Sequence, residues 1–371
     1  MKVLHFFKTY LPENFAGIER VIWNIAEGTY PLGVRSDVLS LSRQPSGAPL
    51  PIANHFAHQA KLDIYLASTG LSLSVFRTFE QLSRDADIVN FHFPWPMMDV
   101  VHLLKPPKCP TVVTYHSDIV RQELLLTLYR PLMHRFLGRV DHIVATSPNY
   151  LESSPTLQRY RNKTSVIPIG IDGTRPTFTL ATLSKWRERL GAGFFLFLGV
   201  PRYYKGLEFL IEAAKISGLP LVIAGATRAE VESLVDGDLG GVQIVGKVSD
   251  EDKEALLELS KAFVFPSHLR SEAFGVALVE AARAGRPMIS CEIGTATSFV
   301  NSDGLTGIVV PSRDARALAS AMTQMSQNDE ITRKMGCQAR DWFESNFTAE
   351  TMARGYRDLY EQILTRQRDR D

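Results

Sequence analysis

Cysteine is scarce: Cys109, Cys291 and Cys337 are the only three in 371 residues and stand far apart. Thiols so few and so spread exclude a disulfide scaffold and a thiolate metal cluster, and a reducing compartment is the simplest expectation. Long apolar runs are missing too, with no stretch approaching the roughly 20 residues that a membrane-spanning helix needs. The opening "MKVLHFFKTYLPENF" is interrupted by polar and acidic residues and reads as a first strand. Neither sign of charge is in excess, since Lys+Arg 41 against Asp+Glu 40 leaves a formal +1, so there is no global electrostatic case for nucleic-acid binding. The first strand has no glycine fingerprint with a later acidic ribose partner, which argues against a nicotinamide dehydrogenase.

What is present is a repeated alternation. Short apolar runs at 2–7, 36–41, 86–93, 111–116, 141–147 and 164–170 are separated by stretches of helical periodicity. The pattern restarts with runs at 193–199, 219–225, 242–246, 262–266, 286–291 and 306–311, whose weak polar alternation is that of strands buried on both faces. Two α/β domains with parallel sheets are therefore expected, 1–175 and 190–345, divided near 173–190, where Gly173, Pro176 and several threonines interrupt the period. A cleft between them would gather strand ends and helix N-termini around a ligand. Residues 348–370 read as a packed C-terminal helix, possible partner of the N-terminal domain, with Tyr356, Leu359, Tyr360, Ile363 and Leu364 at helical spacing.

Several stretches carry candidate chemistry. "GVPRYYKGLEFLIEAAK" (199–215) puts Arg202 and Lys205 between a strand and a helix, either as a phosphate clamp or as a solvated turn, with Gly206 admitting the backbone turn. "VTYHSDIVRQ" (113–122) ends a strand at His116, near Asp118 and Arg121. His116 is open between a donor to substrate and a cap on local backbone, with Asp118 and Arg121 as a surface pair. "PENFAGIERV" sets Gly17 where a helix opens, so that a ligand could approach closely, while Glu19 there would repel a phosphate. "SEAFGVALVEAARAG" (271–285) carries Glu272 before a helix and Glu280 on it, either two sides of one site or one loop residue and one solvated helix residue. "RQELLLTLYRPLMHRFLGR" (121–139) mixes apolar residues with Arg130, Arg135 and Arg139, the pattern of a basic membrane-facing helix or of a core-facing helix with a solvated side, and Pro131 should disturb its continuity.

Taken in order, "AGIERV", "YHSDIVRQ", "VIPIGID", "GVPRYYKGLEFLIEAAK", "SEAFGVALVEAARAG" and "GTATSFVNSDGLTGIVVP" resemble the retaining, nucleotide-sugar-dependent glycosyltransferases of family 4. The resemblance spans nearly the whole chain and implies the GT-B fold, two Rossmann-like domains facing a central cleft. It implies that Arg202 and Lys205 hold the donor diphosphate, that backbone groups at Phe274, Gly275 and Val276 hold donor oxygens, and that Glu280 binds the donor ribose. It places Gly17 on the donor, His116 close to the transferred sugar, and Glu272 on sugar hydroxyls or near the reacting centre. Two positions depart from the family: Ala16-Gly17 stands where many relatives have two glycines, and Ile169 where many have asparagine.

The form of these motifs is similar to bacterial transferases that build O-antigen or related surface polysaccharides. The resemblance therefore implies GDP-mannose as donor, no obligatory metal or other cofactor, and a saccharide acceptor, lipid-linked in one version. A cytoplasmic location follows, with peripheral contact at the inner face of the membrane as an option. Alternatives of other classes are another nucleotide-sugar transferase, a GT-B epimerase or phosphorylase, and a non-catalytic sugar-nucleotide-binding protein.

Overall fold

The computed structural model describes residues 1–66, 69–119, 123–235 and 237–369, with backbone alone at 123–125. The chain forms two compact units, Met1–Gly170 with Ala349–Asp371, and Ile171–Thr348.

The first unit carries ten strands: β1 (Lys2–Phe6), β2 (Arg35–Ser42), β3 (Leu50–Ile52), β4 (His55–Lys61), β5 (Ile64–Leu66), β6 (Thr69–Leu71), β7 (Ile88–Phe93), β8 (Thr111–Tyr115), β9 (His142–Ala145) and β10 (Thr164–Val166). Eight of them form a sheet in the order β10-β9-β8-β7-β1-β2-β4-β3, while β5 and β6 pair antiparallel as a separate ribbon. Every pairing in the large sheet is parallel except β3 with β4. The expectation of a purely parallel sheet is thus corrected at this edge. Residues 50–71 escaped a strand reading because β3, β5 and β6 are three residues each and β4, "HFAHQAK", is only partly buried. An edge strand half in solvent needs no continuous apolar run.

The second unit holds β11 (Phe195–Leu198), β12 (Leu221–Ala224), β13 (Gln243–Gly246), β14 (Ala262–Phe265), β15 (Met288–Glu292) and β16 (Gly307–Pro311), ordered β13-β12-β11-β14-β15-β16 and parallel throughout. "FLFL", "LVIA" and "AFVF" are fully buried, as strands covered by helices on both faces must be. Phe195, Phe197, Leu210, Ile211, Leu318 and Met322 belong to the core on one face of this sheet. The strand order reverses between β11 and β14 here, and between β1 and β7 in the first unit, the places where open α/β sheets leave a crevice at their carboxyl ends.

Residues 173–190, without a clear period in the sequence, are not a bare linker. They include the helix Leu180–Leu190, started by the Thr179 side chain accepting from the Thr182 amide and fastened to the helix Asp250–Leu259 by the Trp186 indole donating to Asp252 at 2.7 Å. The helix Ala349–Arg368 packs in the first unit with Met352, Tyr356 and Tyr360 buried. Its hydroxyls reach into the sheet, where Asn90 Nδ2 donates to Tyr360 at 2.8 Å and Tyr356 shares a 3.0 Å hydrogen bond with Thr114. Gly28 makes this packing possible, since a Cβ there would come within 2.8 Å of the Ala353 Cβ. Pro131 does not break the helix Glu123–Arg139. It falls on the exposed side, where water is at hand for the bond proline cannot make, while Met133, Phe136 and Leu137 are buried.

Candidate active site

The reversal between β11 and β14 organises the second unit's site. Just beyond β11, Gly206 takes φ +67° and caps the helix Leu207–Ser217, and any Cβ at this position would lie 2.2 Å from the Pro266 carbonyl oxygen. Only glycine lets the segment after β11 cross the segment after β14 so closely. That crossing brings Lys205 onto Glu272: the ammonium donates to the carboxylate, and both side chains are largely buried. Phe265 supplies an aromatic face 4.7 Å from the Lys205 nitrogen, and Ser267 Oγ lies 3.4 Å from the same carboxylate oxygen. Arg202 is exposed, with no hydrogen bond or ion pair from its side chain among the described residues.

Gly275 also needs its glycine, with φ +86° at the N-cap of the helix Val276–Arg283, whose first amides therefore start free of side-chain caps. The Phe274 ring turns inward, 4% exposed, and meets Phe347 edge to face, so only its backbone is available to a ligand. Val276 is partly exposed at the helix start. Glu280, one face along that helix, is no freely solvated residue. It accepts from Lys253 at 2.7 Å, and Lys253 also bridges to Asp250 at 3.0 Å. Burial works to lower the Lys253 pKa, but Glu280 and Asp250 outweigh it and raise it. The two glutamates thus each hold a different lysine. Lys253 went unnoticed because "DEDKEALLEL" reads as a solvated charged helix.

In the first unit the segment after β1 is closed by Glu19. This carboxylate is buried and accepts from Thr9 Oγ1 at 2.5 Å and Asn14 Nδ2 at 2.6 Å, so it braces the loop from within. Gly17 opens the helix Gly17–Thr29, and among the described residues nothing lies within 4 Å of where its Cβ would be. At the Ile169 departure the side chain is buried, and Asn24 donates to the Gly170 carbonyl instead. His116, just beyond β8, is buried and its ring bonds to His92, with no backbone partner among the described residues. The Asp118 carboxylate accepts from Tyr115 at 2.8 Å and from Ser154 at 2.7 Å. Arg121 lies outside the described residues.

Known proteins place this architecture. The model described as Glycosyltransferase Family 4 matches residues 15–175, and that described as Glycosyl transferases group 1 matches 182–342. The chain is 50% identical over 353 residues to the D-rhamnosyltransferase WbpZ of Pseudomonas aeruginosa, covering 94% of this chain and 93% of that one. The chain belongs to glycosyltransferase family 4. This glycosyltransferase is also 46% identical to the O-antigen chain mannosyltransferase C of Escherichia coli, over 98% of its own length and 99% of the relative's. Its fold matches sucrose-phosphate synthase from Thermosynechococcus elongatus with a TM-score of 0.79 at 19% identity, over 98% and 99% of the two chains, which is the GT-B architecture of two Rossmann-like domains. The family makes it a nucleotide-sugar-dependent hexosyltransferase. Among the described residues, no group of three or more His, Cys, Asp or Glu side chains could hold a metal ion, and no helix is long and apolar enough to cross a membrane.

Concavities elsewhere in the glycosyltransferase do not coincide with these residues. One of about 1020 Å³ in the first unit is lined by Asp87, Lys105 and Cys109, at the amino ends of strands, opposite to where His116 sits. Another of about 830 Å³ in the second unit, lined by Gly193, Lys261 and Pro287, is likewise at the amino ends. The carboxyl ends, where the orienting amides and paired charges lie, remain the chemically equipped edges.

Proposed function

We propose that this enzyme transfers a mannosyl group from GDP-mannose, with retention of anomeric configuration, to a saccharide acceptor of a bacterial surface polysaccharide, presented on a lipid carrier. The observation that carries the chemistry is the Lys205–Glu272 pair beside Arg202 at the reversal of the second sheet. Arg202 and Lys205 hold the donor diphosphate and stabilise the charge that grows on it as the glycosidic bond breaks. The amides at Phe274, Gly275 and Val276 take donor oxygens, Glu280 takes the ribose hydroxyls, and Gly17 leaves room for the donor. Glu272 is assigned to the transferred sugar, and so is His116. The acceptor attacks from the face the diphosphate leaves, and a leaving oxygen takes its proton, so neither glutamate is assigned as a nucleophile.

Likeness to a mannosyltransferase over 98% of the chain supports the mannosyl donor. The 50% identity to a D-rhamnosyltransferase favours a second reading, in which the sugar is the 6-deoxy form of mannose. Both are separated by one assay: purified enzyme with GDP-mannose, GDP-D-rhamnose or UDP-hexoses, lipid-linked and soluble acceptors, and products resolved by mass and anomeric configuration, with and without a chelator. Transfer from GDP-mannose with retention, undiminished by chelator, is expected. Turnover of UDP-sugars alone would overturn the donor assignment, epimerised or phosphorolysed product the reaction class. Peripheral membrane contact is proposed through the helix Glu123–Arg139, where exposed Leu128 accompanies Arg130, Arg135 and Arg139. Co-sedimentation with anionic but not neutral vesicles tests it.

A further inference from the structure

Three histidines stand in a row across the reversal of the first sheet: His5 on β1, His92 on β7 and His116 just beyond β8. His5 Nδ1 lies 3.1 Å from His92 Nε2, and His92 Nδ1 lies 3.0 Å from His116 Nε2. His5 and His92 are wholly buried and His116 is 5% exposed. Burial pushes His5 and His116 down to about 3, and burial together with the neighbouring histidines holds His92 well below its usual range, so all three rings are neutral near pH 7.

A neutral imidazole carries one N–H and one bare nitrogen. The middle ring can therefore donate in only one direction, and the two hydrogen bonds must run the same way along the row. If they run inward, from His116 through His92, the single proton of His5 is left on Nε2, which is buried and has no partner among the described residues. If they run outward, from His5 through His92 to His116, Nε2 of His5 is only a bare acceptor. A buried N–H without an acceptor is much the rarer defect, because it forfeits a donor that water would otherwise satisfy. The outward direction puts a hydrogen bond on His116 Nε2 and moves its own proton to Nδ1, the ring's remaining polar atom.

We infer that His5 and His92 are positioning residues that lock His116 in the Nδ1–H form, so that it meets the transferred sugar as a hydrogen-bond donor and not as a base. The inference rests on the proposed placement of His116 at that sugar. A donor of fixed direction is the more useful group there, since it can hold a sugar oxygen in one orientation through the transfer. A free neutral imidazole favours Nε2–H, so the inferred form would be set by the row. The sequence offered no sign of it: the residues come from two strands and the position just after a third, and they meet only through sheet register.

The test reads the proton directly. In full-length protein with ¹⁵N-labelled histidine, long-range ¹⁵N–¹H correlations distinguish Nδ1–H from Nε2–H, and the His116 signals are those lost in His116→Ala. An Nδ1–H pattern at neutral pH is expected, and an Nε2–H pattern would overturn the row. His92→Phe keeps a ring but removes both bonds. It should let His116 return toward Nε2–H and lower turnover about tenfold at unchanged donor affinity, whereas Nδ1–H retained with full turnover would overturn the inference. An Nδ1–H pattern together with undiminished transfer by His116→Ala would instead overturn the sugar-facing placement, leaving the row intact.

Discussion

Lys205 and Glu272 neutralise each other in a place that water reaches poorly, so either single variant strands the other's charge. Lys205→Ala should therefore lower both thermal stability and turnover, while Lys205→Ala with Glu272→Gln should recover the stability and not the turnover. Arg202 is exposed, and Arg202→Ala should leave the melting temperature unchanged yet cost on the order of 10²-fold in turnover, as loss of charge stabilisation at a leaving group does. Melting curves beside kcat measurements decide it, and near-parental turnover in both would remove the clamp. Glu280 has a different partner, and Glu280→Gln should weaken donor binding about tenfold with little change in the chemical step. Calorimetric donor titration and single-turnover transfer at saturating donor separate the two effects.

At the scale of the elements, two glycines that look alike in sequence should answer oppositely. Gly206→Ala forces a Cβ against the Pro266 carbonyl at a positive φ, and it should destabilise by about 3 kcal/mol or more, read by chemical denaturation. Gly17→Ala, in the first turn of a helix, meets nothing within 4 Å among the described residues, and its stability should hold or rise slightly. Weaker donor binding by Gly17→Ala then reports ligand approach alone, and unchanged binding and turnover would take Gly17 out of the site. The C-terminal helix is an element of the first unit by burial: Tyr360→Phe orphans the Asn90 amide and should cost about 1–3 kcal/mol, measured in the same way.

For the whole molecule, the histidines are unevenly shared. Eight of the nine lie in the first unit and only His268 in the second. Burial pushes His5 and His116 down to about 3 and His102 and His142 to about 4, and each returns to about 6.5 when the chain unfolds. Between those values the unfolded chain binds protons that the folded chain does not, so stability is complete above about pH 6.5 and falls as the pH drops below it. Acid should therefore loosen the first unit before the second. Limited proteolysis at pH 7.5 and pH 5, with fragments identified by mass, should show early cuts gathering in 1–170 at the lower pH. Cuts gathering in 171–348 would contradict this assignment.

Local pattern alone decided most of the architecture. Strands such as "FLFL" and "AFVF" are buried on both faces, so apolar continuity announces them, and the order of the motifs announced the family. The edge strands of residues 50–71 were silent because half-solvated strands need no such run. Partnership was silent for another reason. That Glu272 holds Lys205 while Glu280 holds Lys253, that Asp118 serves Ser154, and that three histidines form one row all depend on which elements lie side by side. Period and composition describe a residue's neighbours along the chain, and these contacts are set by sheet order, which joins residues 24 to 87 positions apart.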